Sequence, residues 1–347
     1  MREKLNWSLL SKYRAQLFGI SILSIMIFHY FEDYLASGER QLLLFAKGYN
    51  TLLGSIGVEF FLFLSGMGMF FSLKKSDAII PFYQKRLSRV MLPYAAYGLL
   101  FWIVKDLMLE RNGIVNFFLD YLLLSFWICG NRNLWYIAFI CMMYLAVPFL
   151  FRYFDQDSDK KTSRMIMLMV MSVLVCTILN LFCNDVYRNI EVALMRIPVF
   201  LLGLYCGGWI KEKCPITQGG LVFALSGFAL KLLGLLIGHF DILEGTLLNE
   251  INRLINGFYA VSLLLVLSLL LEYVHIPIVD RVLRNAGEYS LELYMTHVTV
   301  RTVFNLVGLP TYKILNYLLC LCISVALSIL LHLAVEKLLS VNKRRET

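Results

Sequence analysis

Charge is what this chain has least of. Only 16% of its 347 residues are Asp, Glu, Lys or Arg, while 59% are hydrophobic, and a water-soluble domain of this length needs far more charge to cover its surface. The eight cysteines show no CxxC pair and no zinc-ligand spacing, so neither a disulfide framework nor a metal site is indicated, and no metal is expected. Cys129, Cys141, Cys176, Cys206, Cys320 and Cys322 lie in or beside apolar runs and read as small packing residues. No low-complexity tract and no internal repeat is visible, and the missing inverted repeat counts against the common architecture of secondary transporters. The opening MREKLNWSLLSKYR is polar and basic for too long to resemble a cleaved secretory signal.

The chain does contain repeated apolar runs close to the length of a bilayer crossing. Eleven can be drawn, near residues 16–35, 52–73, 91–109, 114–130, 134–152, 165–183, 192–210, 219–238, 252–274, 286–306 and 313–336. The fourth is short, contains Asp120, and is parted from the fifth only by Asn131, Arg132 and Asn133. Basic residues decide whether it crosses. If it re-enters, one side receives Arg2, Lys4, Lys12 and Arg14; Lys74, Lys75, Lys85, Arg86 and Arg89; Arg152, Lys160, Lys161 and Arg164; Lys211 and Lys213; Arg281 and Arg284; and Lys343, Arg344 and Arg345. The acidic or mixed loops, Glu32 to Glu39 and Asp241 to Glu250, fall on the other. A full crossing would scatter this pattern, against the positive-inside rule. The expectation is therefore an all-α polytopic membrane protein with about ten transmembrane helices and one re-entrant or interfacial segment. It forms a single integral domain over 1–347, with short tails at 1–15 and 338–347 and both termini in the cytoplasm. The net charge of +8 belongs to this topology and to lipid headgroups, and no nucleic-acid partner is expected. Non-helical chain at membrane depth survives only beside a protein cavity, which places the 114–133 region next to the site.

Three ionisable residues inside apolar runs gather at a similar depth, just outside the midplane. His29 is about twelve residues into the first run, or about 18 Å deep at about 1.5 Å per residue. Glu59 is about seven residues into the second, about 10 Å below the opposite face, and His297 reaches a similar level in SLELYMTHVTV. Ionisable groups at such depth mark functional sites, and an imidazole beside a carboxylate is a general-base arrangement. The alternative for each is an interhelical hydrogen bond. In FYQKRLSRVMLPY (82–94), Lys85, Arg86 and Arg89 share one helical face. They suit either the phosphates of a nucleotide-bearing donor or a headgroup anchor. Arg196, Trp135 and Tyr136 fall near the non-cytoplasmic ends of their runs, where they could hold an anionic group and stack on a sugar ring, or serve as interface anchors.

These segments resemble a known family. GVEFFLFLSGMGMFF (57–71), FYQKRLSRVMLPY, NLWYIAFICMMYLAVP (133–148), RIPVFLLGLYCG (196–207) and GEYSLELYMTHV (287–298) are similar, in order, to the signatures of the acyltransferase-3 family of membrane O-acyltransferases. The resemblance implies ten spans, a cytosolic acyl-CoA donor, with acetyl-CoA expected, and transfer to a hydroxyl of an extracytoplasmic or lipid-linked glycan. Capsular polysaccharide, exopolysaccharide and other cell-envelope glycans all remain open as acceptor. It makes His29 the catalytic histidine and puts Arg86 and Arg89 in the donor-binding motif. The family places an arginine with ten residues between it and that histidine; here Phe18 stands there, and Arg14 is the nearest arginine. The expected catalytic pair is His29 and Glu59. Lys85, Arg86, Arg89 and Arg14 hold the donor, and Trp135, Tyr136, Arg196 and His297 hold the acceptor. The competing reading is a proton-coupled transporter or flippase of a lipid-linked sugar, and a third is a non-catalytic subunit of a glycan-assembly complex. The expected location is the plasma membrane.

Overall fold

The computed structural model describes residues 5–54, 56–75, 78–240 and 245–345. Arg2, Lys4 and the Asp241 end of the acidic loop lie outside the described residues. The chain is 85% helical with no strand among the described residues. The helices are α1 (Leu9–Lys12), α2 (Arg14–Ala36), α3 (Leu43–Leu53), α4 (Ile56–Lys75), α5 (Ile79–Trp102), α6 (Gly113–Tyr121), α7 (Leu124–Cys129) and α8 (Trp135–Asp155). They continue as α9 (Lys161–Phe182), α10 (Asn184–Leu194), α11 (Ile197–Lys211), α12 (Gln218–His239), α13 (Gly245–Tyr273), α14 (Pro277–Glu288), α15 (Ser290–Leu306) and α16 (Ile314–Arg345). A π-helical stretch, Ile103–Leu109, prolongs α5.

Nine helical runs among the described residues are long and apolar enough to cross a bilayer. The tenth expected span, α15, has 17 residues and carries Glu292, His297 and Arg301, at the short end of the about 17–25 residues that span hydrocarbon. The helices α9 and α12 turn apolar side chains outward along their length, as at Phe182 (80% exposed) and Val222 (68%). Such a surface is stable only against lipid.

The fourth apolar run does not form a span. It breaks into α6 and α7 at Leu123, whose φ of 61° is left-handed and costs a branched residue strain. What holds the break is polar. Ser125 Oγ and Asn131 Nδ2 both donate to Asp120 Oδ1. Lys105 in the π-helical stretch bonds Asp106 Oδ1 at 2.8 Å and Glu110 Oε2 at 2.7 Å, with Asp120 Oδ2 at 3.9 Å. In a medium without water, such groups must satisfy one another.

By contacts the chain divides into two compact units interleaved in sequence: Met1–Ile25, Ser55–Asp77 and Val147–Gly287, then Met26–Gly54, Ala78–Ala146 and Glu288–Thr347. Within the first, α4 and α11 lie closely side by side. A Cβ at Gly66 would run into the carbonyl of Phe200, and one at Gly203 into that of Phe63, so only glycine admits this approach. Towards the two ends of the contact Glu59 meets Arg196 and Phe70 meets Gly207, so ascending positions on α4 meet ascending positions on α11 and the two helices run parallel. The crossings α5, α8 and α9 lie between them in the chain. An odd number of crossings restores direction, so a further crossing at 114–130 would make the pair antiparallel.

Helix ends carrying basic residues also meet as the charge pattern expects. Asp155 at the end of α8 binds Lys74 at the end of α4 (2.6 Å) and Lys161 at the start of α9 (3.1 Å). Glu272 at the end of α13 binds Lys12 (2.6 Å) and accepts from Tyr13 (2.8 Å), and this bond holds the Lys12 ammonium above its ordinary range. The twelve-residue α14 buries no residue. Its Asp280 accepts from Gln16 Nε2 at 2.7 Å, while Ile278 and Val282 are exposed. This is an amphipathic helix of the kind that lies at a membrane surface.

Candidate functional site

His29 sits two turns before the end of α2, and His297 in the middle of α15. Their rings stack, with centroids 5.3 Å apart and planes 13° apart. His297 is fully buried (0% exposed) and His29 half-buried. Among the described residues, Nδ1 of His29 and both ring nitrogens of His297 are buried without a hydrogen-bond partner. An unpaired buried polar group costs about 1–3 kcal/mol, so three such atoms at one spot are held against stability, as at sites that do chemistry.

One turn further along both helices, Arg301 meets Asp33. Its Nε donates to Asp33 Oδ2 at 2.8 Å, and Nη2 reaches Asp33 Oδ1 and Glu32 Oε2. Thr311 Oγ1 also donates to Asp33 Oδ2, and Thr311 N to Asn305 Oδ1 at 3.0 Å. The fork of Arg301 grips Asp33 through two nitrogens. Because Asp33 follows His29 by four residues and Arg301 follows His297 by four, the clamp fixes the register of the two histidine-bearing helices. Arg301→Lys keeps the charge but loses the planar fork. Activity is expected to fall about tenfold, equivalent to about 1.4 kcal/mol, while Arg301→Ala also lowers the unfolding temperature. Unchanged activity in both variants would remove the clamp from the site.

The segment after α7 reaches the same place. Thr302 Oγ1 donates to Asn133 Oδ1 at 3.0 Å, so the end of the 114–133 region lies against α15 beside the histidines. Trp135 and Tyr136 open α8. Tyr136 is buried, its N–H 3.4 Å from the hydroxyl of Tyr294 and its ring edge-on to Tyr294 at 5.4 Å. Trp135 packs on Phe126 and Phe139.

Glu59 and Arg196 lie in the first unit and face each other. Arg196 Nε donates to Glu59 Oε1 at 2.8 Å and Nη1 to Val192 O at 2.5 Å. Their side chains are 1% and 4% exposed. The close α4–α11 contact places them opposite one another, Glu59 in the first turn of α4 and Arg196 just before α11. The guanidinium expected to bind an acceptor anion is thus held by an internal carboxylate. In the same unit Arg14 lies over the ring of Phe18 at 4.9 Å, and Phe18 packs on Phe61. The cation is thereby carried one turn along α2 onto Phe18. Lys85 and Arg89 are exposed and Arg86 is half-buried, all on α5. The segment 82–90, outside the third apolar run drawn at 91–109, thus forms the first turns of the same helix.

Sequence reasoning missed Asp33, Arg301 and Lys105. The i+4 spacing of Asp33 from His29 and of Arg301 from His297 was the available signal.

Membrane-crossing helices, a stacked pair of imidazoles and a basic row on α5 define a polytopic membrane protein with ionisable groups gathered inside its helices. A family model described as an acyltransferase domain matches residues 19–333, nearly the whole chain. The chain belongs to the acyltransferase-3 family and is a membrane acyltransferase. Comparison with curated proteins and with solved structures returned no match.

Proposed function

We propose that the protein moves an acyl group, acetyl by preference, from cytosolic acyl-CoA to a hydroxyl of an extracytoplasmic or lipid-linked glycan at the plasma membrane, with both termini cytoplasmic. His29 takes the proton of the acceptor hydroxyl; the oxygen attacks the thioester carbonyl, the carbon–sulfur bond breaks, and the CoA thiolate leaves and regains a proton. His297 braces the imidazole of His29 and faces the acceptor. Arg86, Arg89 and Lys85, with Arg14, hold the phosphates of CoA, since guanidinium forks match phosphate oxygens. Glu59 is proposed as the carboxylate that favours the protonated imidazole. Its bond to Arg196 offers a purely structural alternative, and Trp135 lies along the acceptor path.

The observation that carries this reading is the stacked pair of His29 and His297, with three buried ring nitrogens at one spot that have no hydrogen-bond partner among the described residues. The test compares cell-surface glycans with and without the gene by mass spectrometry. Ester-linked acetyl groups present only with the gene support the reading; identical glycans sink it. A second expectation concerns the donor. Arg86→Ala or Arg89→Ala removes a charge-assisted hydrogen bond, about 1.5–3 kcal/mol, and should raise the KM for acetyl-CoA about tenfold or more with the acceptor KM unchanged. Equal effects on both substrates would take these residues away from the donor.

A further inference from the structure

The second unit contains a cleft of about 840 Å³, within the range of about 300–1,000 Å³ found for small-molecule sites. It opens from the part of α2 that follows His29. Tyr30 and Phe31 form one wall and Tyr312 another, while Gln41, Lys313 and Asn316 bring polar groups to it. No step of the acyl transfer uses these residues.

The cleft is framed, not frayed. Leu42 N donates to the Tyr34 hydroxyl at 2.8 Å and Ser37 Oγ to the Tyr34 carbonyl at 2.7 Å, which fixes the turn out of α2. Asn316 Nδ2 donates to Pro310 O at 3.1 Å and fixes the turn into α16. Tyr30 packs on Tyr317 at 4.9 Å, and Tyr317 stands edge-on to His297 at 5.8 Å. Its hydroxyl donates to the carbonyl of Met26. One wall of the cleft is therefore one residue from His29 in the chain and one ring from His297 in space.

Its chemistry selects an occupant. Leu42, Phe45, Ile314 and Leu315 also line the cleft, but a site for hydrocarbon alone would not add an amide from Gln41, a second from Asn316, the ammonium of Lys313 and the carboxylate of Glu39. A phosphate site would carry an excess of positive charge, whereas Lys313 and Glu39 cancel. Aromatic faces beside spaced donors and acceptors match a sugar ring, which presents C–H faces to the rings and hydroxyls to the polar groups. The rings of Trp135 and Tyr136 are already packed against Phe126, Phe139 and Tyr294.

We infer that this cleft is the acceptor site, and that it seats a neutral sugar ring on Phe31 and Tyr312, backed by the buried Tyr30, with one hydroxyl directed toward His29. The inference rests on the acyl-transfer reading and deepens it. The test uses the full chain in membranes that contain their own glycan acceptor, with radiolabelled acetyl-CoA as donor. Phe31→Ala is expected to lower glycan labelling at least tenfold, and the exposed Gln41→Leu several-fold, each with the acetyl-CoA KM within twofold of the unaltered chain. Gln41→Leu removes no packing, so its result stands even if Phe31→Ala misfolds. Label extracted with lipid identifies a lipid-linked sugar, and label retained in aqueous polymer a glycan chain; either keeps the sugar in the cleft. Labelling within twofold of the unaltered chain in Gln41→Leu and in well-folded Phe31→Ala overturns the assignment, and so does a matching rise in the acetyl-CoA KM. Failure of the unaltered chain to label any glycan would instead remove the acyl-transfer reading itself.

Discussion

Replacing His29 by alanine is expected to reduce acyl transfer by about 10²–10⁴-fold, the range contributed by a positioned general base, while the protein accumulates in membranes as before. The expectation of normal accumulation follows from the local structure. The buried Nδ1 of His29 makes no hydrogen bond among the described residues, so its removal leaves no new partner unsatisfied. The ring is half-buried, and the loss is confined to one face of the stack with His297. A structural histidine would behave in the opposite way: its removal would lower yield and unfolding temperature, and activity per folded molecule would persist. His29→Gln sharpens the distinction, because glutamine keeps bulk and hydrogen-bonding capacity but cannot accept a proton near neutral pH. Transfer by His29→Gln above one tenth of the unaltered rate would take His29 out of the chemistry.

The second large effect belongs to Glu59. Glu59→Ala takes from the buried guanidinium of Arg196 the carboxylate to which its Nε donates. Breaking a buried ion pair from one side costs about 3–5 kcal/mol, a large part of the about 5–15 kcal/mol by which a folded domain is stable. The single variant should unfold at markedly lower temperature in detergent and accumulate poorly. Removing both charges with similar bulk, as Glu59→Leu with Arg196→Met, should restore most of that loss, because apolar pairs of matching volume replace buried ion pairs at little cost. The double variant also separates the two roles of Glu59. If it folds and transfers acetyl groups, the pair is structural; if it folds and is inactive, Glu59 acts on the chemistry. A double variant as unstable as the single one would contradict the idea that the stranded Arg196 charge causes the loss.

Much of the topology was legible because lipid leaves few options. Apolar run lengths and the one-sided distribution of Lys and Arg located the spans and set 114–130 apart, and the parallel course of α4 and α11 agrees with that assignment. His29 and His297 were legible as misfits in apolar runs, and the structure brings them into contact. Polar partnerships across elements were not. Glu59 reads as a partner for a histidine because imidazole and carboxylate suit one another, yet Arg196, some 137 residues on, is what meets it. The knot of Lys105, Asp106, Glu110 and Asp120 depends on a π-helical stretch and a left-handed Leu123, neither of which follows from local propensity. Helix α14 was hidden for another reason. Arg281 and Arg284 were read only as topology markers, and the apolar face formed by Ile278 and Val282 appears only at helical periodicity.

The central claim is that the imidazole of residue 29 removes the proton of an acceptor hydroxyl. It is tested most directly in sealed inside-out vesicles supplied with radiolabelled acetyl-CoA on their outer, cytoplasmic surface. Alkali-labile label on lumenal glycan is expected with the unaltered chain and at background with His29→Gln at equal protein level. Equal label from both would contradict it.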